Sequence, residues 1–341
     1  MRAFTANDIW LDQFADTLGF GWLVERLSIT VPSSLVYATV TIVVYNLGIR
    51  GYLLSQGQPP YNTENPYFLL QPLVLIGAVY GSHALSRGYD RAMEEMQVAE
   101  RTDGPEPLLE LVPSRLPWFL FIVGAGLQLV RAAIALPGYG TLDIVANFVV
   151  FPFVYTPIIA QFFAIYLSIQ VLAPWRLARS DVGIHFYDPH GVGGLRPLGE
   201  LIKKAYYYIG GGLVVYALIT YAPFVVSEWS VTPFAGMLFT VIWLVSVATV
   251  GFAVFVLHRF MHREKRRKIR DLERELTNYV DDPWDVMHSI PDDKQDDVKD
   301  LRQRMDRISA TNEYPATFSI WSQLLLSVAI PKAFQLLIAG V

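Results

Sequence analysis

Seven long apolar stretches separated by polar links run from residue 34 to residue 338, and their length predicts membrane-crossing helices. An apolar helix needs ~20 residues to cross the hydrocarbon, because each residue advances it ~1.5 Å and every backbone group must find its partner internally. The stretches are Ser34 to Leu53, Tyr67 to Ser86, Leu116 to Leu136, Ile144 to Leu172, Tyr207 to Val226, Phe234 to Leu257 and Thr317 to Ile338. Pro32, Pro66, Pro117, Pro174 and Pro233 mark their borders, and Trp118, Trp175 and Trp229 sit where amphipathic rings favour the interface.

The pattern changes character in three places. Ile9, Trp10, Phe14, Leu18, Trp22 and Leu23 recur at helical spacing within residues 1–32, predicting an amphipathic segment that either lies in the interface or packs on the protein. The fourth stretch is 29 residues long with Pro152 and Pro157 inside, which predicts a kinked, tilted or protruding helix. Residues 258–315, between the sixth and seventh stretches, continue a stripe that starts at Leu257 with Met261, Ile269, Leu272, Leu276 and Val280, then carry Val298, Leu301, Met305 and Ile308 on another. Asp281, Asp282, Pro283 and Pro291 break the two apart, so the segment reads as a helical hairpin. The fold class is therefore all-α: a single polytopic domain over residues 1–341 with seven transmembrane helices.

Charge orients this pattern. Of the 27 Lys and Arg residues, all but Arg50, Arg131 and Lys332 fall on alternate links, whereas Leu54 to Pro66, Pro137 to Asp143 and Ser227 to Pro233 contain none. Basic residues stay in the cytoplasm, so the N-terminus is expected inside, the C-terminus outside, the hairpin cytosolic, and the location a multi-pass cell membrane. Composition agrees, with 53% hydrophobic residues, 17% charged residues and a mean hydropathy of +0.34. The sequence lacks cysteine, which excludes disulfides, thiolate nucleophiles and thiolate metal sites. Residues 1–30 show no cleavable-signal order and are expected to be retained.

The densest cluster of special residues is Asp181 through Gly199, with His185, Asp188, Pro189, His190, Gly191, Gly193, Gly194, Arg196 and Pro197. Proline and glycine at this density predict a tight turn, and Pro197 opens a helix leading into the fifth stretch. Such a turn either presents successive amides to a regulatory anion, nucleotide or metal, with Arg196 adding charge, or serves as an elbow. Its residues resemble a His-Pro-Asp then Gly-Gly-Leu loop of uncharacterised prokaryotic multi-pass proteins, with acid and imidazole exchanged as Asp188-Pro189-His190. That resemblance supplies no activity.

The run Arg263, Lys265, Arg266, Arg267 and Lys268 either contacts anionic lipid or simply anchors the sixth helix, and no recognised module points to nucleic acid. His258 and His262 share a helix face, and His185, Asp188 and His190 lie in the same compartment, so a metal-dependent lipid enzyme enters as a third reading. Membrane desaturases share the His-x-x-x-His spacing but use more histidine boxes than six histidines can fill. With no nucleophile elbow, phosphate loop or zinc-protease helix either, no catalytic residue, metal or cofactor is assigned.

Arg131 and Lys332 are the ionisable residues within the stretches, either pathway residues or chains snorkelling outward. Ser319, Gln323 and Ser327 follow one face of the seventh stretch, as a water-filled passage or helix–helix hydrogen bonding would require. Seven crossings with the N-terminus inside, an amphipathic start, an overlong fourth helix and a helical element before the seventh resemble the insect chemoreceptor superfamily. That family's seventh-helix signature is Thr-Tyr, five apolar residues, then Gln-Phe; here Thr317-Phe318 and Gln323-Leu324 stand in those places with four residues between, a departure from the pattern. The resemblance implies a ligand-gated cation channel, a homo-oligomer of four subunits, and a pore lined by the seventh helix at Ser319, Gln323, Ser327 and Lys332. A small-molecule ligand of unknown identity belongs to this expectation. The alternative is a non-conducting sensor or scaffold whose cytosolic helices bind a partner.

Overall fold

The structure, a computed structural model, describes residues 9–28, 30–58, 69–226, 233–279 and 294–313, together with Ala329, Lys332 and Ala333. Among these residues the chain is all helical, without strands. In chain order the helices are α1 (Trp10–Thr17), α2 (Phe20–Arg26), α3 (Ser33–Ser55), α4 (Leu70–Glu95), α5 (Val98–Arg101), α6 (Glu106–Leu109), α7 (Arg115–Ala135), α8 (Thr141–Leu177), α9 (Arg196–Val226), α10 (Pro233–Thr277) and α11 (Gln295–Ala310).

Four stretches of the described residues are long and apolar enough to cross a membrane: Ser33–Ser55, Arg115–Gly138, Thr141–Leu177 and Gly236–Thr277. Helices α4 and α9 have the length, at 26 and 31 residues, but each carries charge over its turns at one end. The predicted seventh stretch lies outside the described residues apart from Ala329, Lys332 and Ala333. On α7 the apolar residues face outward, with Leu127 68% and Ile134 77% exposed, and α3 and α10 likewise expose Leu47, Val44, Leu244 and Phe255. In water such a surface would drive association; in hydrocarbon it is solvated.

The hub is α8. Its most apolar window is 56% buried, against 11–22% for the other three, and α4, α7, α9 and α10 all pack on it. It runs unbroken through its prolines because the backbone shifts to π-helical geometry over Ala146–Tyr155 and again over Ser168–Leu172. Pro157 has no N–H to offer the carbonyl of Phe153, and the Tyr37 hydroxyl of α3 donates to that oxygen instead at 2.7 Å. The Thr156 hydroxyl donates to Phe151 O at 2.7 Å in the same turn. Phe151 O keeps its backbone donor, Thr156 N–H, whereas the carbonyl freed at Phe153 is satisfied by a hydroxyl from a neighbouring helix.

Glycines set the closest approaches. A Cβ on Gly81 would meet the Tyr208 ring at 3.0 Å, and one on Gly124 would meet Thr156 at 2.9 Å, so α4 meets α9, and α7 meets α8, over small residues. At Gly211 and Gly212 an added Cβ would meet no described residue within 4 Å.

Of the two alternatives for the N-terminal segment, α1 takes the packed one. Trp10, Leu11 and Ala15 are buried, and Trp10 stands edge-on to Trp118 of α7 at 5.0 Å. The buried Gln161 amide of α8 accepts Leu11 N–H at 3.2 Å. Asp12 accepts Ser34 N–H at 3.1 Å, and His83 Nε2 lies 2.9 Å from Ser34 Oγ, which ties α1, α3 and α4 at one end of the bundle.

Candidate functional site

At the end of the bundle where basic residues gather, the loop between α8 and α9 is held by three other segments. Its conformation comes from Asp188. The Asp188 carboxylate accepts backbone N–H groups of His190 at 3.0 Å, Val192 at 3.0 Å and Gly194 at 2.9 Å. The amides that the sequence offered to an outside anion are therefore filled by the loop's own acid, and the chain winds around it. Burial pushes this carboxyl up, but the three amide hydrogen bonds outweigh burial and hold it below the usual carboxylate range. Gly193 and Gly194 are required here: both have positive φ, and a Cβ on Gly193 would lie 2.5 Å from Ile184.

The loop's outer contacts reach across the sequence. Arg101 donates to Gly183 O at 3.2 Å and the Thr102 hydroxyl to Asp181, fastening the loop to the α5 segment. Met261 of α10 packs beneath Gly193. The Arg307 guanidinium of α11 lies 5.4 Å from the Tyr187 ring centre, and just past the end of α11 Asn312 N–H donates to Gly191 O at 2.8 Å. Arg196 Nη1 sits within 3.1 Å of both His190 ring nitrogens.

A second constellation lies beside the loop. His258, His262 and Lys265, on one face of α10, converge on Glu313. His258 Nδ1 is 3.0 Å from Glu313 O, His262 Nδ1 is 2.9 Å from Glu313 Oε2, and Lys265 Nζ is 3.7 Å from Glu313 Oε1. A carbonyl oxygen only accepts, so His258 carries its proton on Nδ1. Lys265 also donates to Ser309 O at 2.8 Å and Thr311 O at 2.9 Å, capping the carbonyl end of α11. Burial raises the Glu313 carboxyl, yet hydrogen bonding and charge from His262, with Lys265 and His258 adding, bring it below its ordinary value. Both imidazoles are engaged by Glu313, and among the described residues no group of three or more His, Asp or Glu is arranged to hold a metal ion.

The basic run divides. Arg263 donates to Ala178 O at 2.7 Å and Lys265 serves Glu313, so these two hold the protein together. Arg266, Arg267 and Lys268 are exposed. His185 contributes its backbone, donating N–H to Gly193 O at 3.0 Å. Ser319, Gln323 and Ser327 lie outside the described residues. Lys332 is described: its Nζ donates to Thr240 Oγ1 of α10 at 3.4 Å and lies 5.9 Å from the Phe239 ring centre. Arg131 donates to Gln128 Oε1 at 3.5 Å, and Gln128 in turn donates to Asn147 of α8 at 3.2 Å.

Sequence reasoning singled out the loop and the histidine pair but missed Asn312 and Glu313. The available signal was His258, His262 and Lys265 on one helix face, a set of donors in need of an acceptor. No family model, curated protein or solved structure matches the chain.

Proposed function

We propose that the chain is a multi-pass cell-membrane sensor with seven crossings and a cytoplasmic N-terminus, in which the cytoplasmic face sets the position of the last apolar stretch. The single observation that carries this reading is the double engagement at residues 312 and 313. Asn312 binds the Asp188-centred loop, while Glu313 is gripped by His258, His262 and Lys265, just before the last stretch begins. A change in the loop, in α10 or in α11 is thereby felt at one point of the chain. Hydrogen–deuterium exchange on full-length protein in nanodiscs tests the coupling. Glu313→Gln should speed exchange on the order of tenfold in residues 181–199 and in α11 together. A change confined to the immediate neighbours of residue 313 would defeat the reading.

A second reading, an ion channel assembled from several copies, draws on Lys332. With its side chain engaged by Thr240 and Phe239 of α10, a helical seventh stretch would carry Gln323, nine residues earlier, on the opposite side, facing away from α10. The Ser319, Gln323 and Ser327 face would then be open to a pathway. Purified protein in liposomes should pass monovalent cations, and Gln323→Leu should reduce that flux severalfold. Flux no greater than that of empty liposomes rejects conduction and leaves the sensor reading standing.

A further inference from the structure

Between the end of α4, the Asp188-centred loop and the first turns of α9 lies an open cleft of about 740 Å3. Four cations line it: Arg91, Arg196, Lys203 and Lys204. Three acids line it as well, but one is paired with a cation and another has its oxygens taken up by the loop. Asp188 is occupied by three backbone amides, and Glu200 is paired with Lys203. What remains is Arg91, Arg196 and Lys204 against Glu95 and the charge of Asp188, whose oxygens are turned to the loop's own amides. Arg91 and Lys204 are exposed and make no hydrogen bond or ion pair with other described residues.

The position of the cleft selects the kind of anion. Along α9 the polar turns with Glu200, Lys203 and Lys204 give way to a continuous apolar run from Leu213, and the exposed Tyr207 lines the cleft on the way. A tyrosine between a basic turn and an apolar run marks the headgroup level of a bilayer. Arg supplies a planar fork suited to phosphate oxygens, and Lys a mobile point charge. We infer that the cleft binds a phosphate-bearing anion, held between Arg91 of α4 and Lys204 of α9 with Arg196 at its side. An anionic phospholipid headgroup is the occupant that this depth favours, and a soluble phosphate shares the same chemistry. The inference rests on the membrane placement of α9, and not on the coupling through Glu313.

Full-length protein in mild detergent is probed with phosphatidylglycerol, phosphatidylcholine and inorganic phosphate, reading lipid adducts by native mass spectrometry and phosphate by thermal shift. Phosphatidylglycerol should be retained over phosphatidylcholine, and the Arg91→Gln/Lys204→Gln double variant should retain about tenfold less. The single variants should each lose about threefold, which keeps the test readable if the double variant aggregates. Arg91→Lys/Lys204→Arg should retain binding, and Arg266→Gln/Lys268→Gln, on the exposed part of α10, should leave it unchanged. A thermal shift from inorganic phosphate that disappears with the same two residues supports the site with a soluble occupant. Equal phosphatidylglycerol retention by wild type and the double variant, with no phosphate-dependent shift, overturns the proposal. Neither outcome alters the exchange experiment at Glu313, so the two ideas fail separately.

Discussion

At the scale of single residues, the acid that organises the loop is the one whose loss is most informative. Asp188 accepts three amides from within six residues of itself, so its carboxylate supplements the few backbone hydrogen bonds of a segment with no helix or strand. Asp188→Asn keeps the size but turns one acceptor into an NH2 group facing N–H donors. Charge-assisted hydrogen bonds contribute ~1.5–3 kcal/mol, so the variant should lose on the order of 2–3 kcal/mol in reversible denaturation of the full chain. The pH dependence carries a definite sign. The carboxyls of Asp188 and Glu313 titrate lower in the folded protein than in the unfolded chain, so their stabilisation is fully present above the unfolded carboxylate value of ~4. It is lost as pH falls through the depressed folded values. Wild type should therefore lose stability more steeply than Asp188→Asn below about pH 4, and parallel pH profiles would contradict the assigned role. The glycines and prolines made the turn legible in the sequence; that the turn's own aspartate fills its amides depends on φ angles no residue spacing records.

At the scale of elements, hydrophobic periodicity located the apolar helices of the described residues well and their internal geometry poorly. The predicted stretch Ile144 to Leu172 appears as Thr141–Leu177, lengthened at both ends by continuous backbone. Pro152 and Pro157 announced a disturbance, but the form it took was decided by Tyr37 of another helix, whose hydroxyl replaces the missing donor at Phe153 O. A tertiary hydroxyl of this kind is invisible to any local reading. The same holds for α1, whose amphipathic pattern suited an interface or a protein surface equally. The choice fell to Gln161 and Ser34, buried polar residues that need partners, and α1 meets both: Leu11 N–H donates to Gln161, and Asp12 accepts Ser34 N–H. Along α10 the continuity was written locally, since residues 252–277 contain neither glycine nor proline, and the 45-residue helix follows. The hairpin stripe on α11 found its partner within the chain: Val298, Leu301 and Ile308 are buried and α11 packs along α10.

At the scale of the molecule, the orientation proposed here depends on an unequal distribution of charge. The described structure gathers Arg101, Arg176 and Arg263 into one cluster of contacts, with Arg101 on Gly183 O, Arg176 on Glu110 O and Arg263 on Ala178 O. These links come from segments far apart in sequence, and their meeting at one end is what an even number of crossings between successive basic links requires. The opposite end carries few cations, and Arg131 there is held by Gln128. An anionic inner leaflet favours a cationic cluster by ~1 kcal/mol per residue near the surface, so reversing the molecule would forfeit many such terms at once. The absence of cysteine from the sequence makes the prediction direct to test, because a single introduced thiol is the only one to label. In intact cells a membrane-impermeant maleimide should modify Gln58→Cys, at the end of α3. It should modify Pro189→Cys in the loop and Arg304→Cys on α11 only after permeabilisation. Labelling of all three in the same compartment would remove the cytoplasmic placement of the Asp188-centred loop, and with it the argument that the loop, α10 and α11 report on the cell interior.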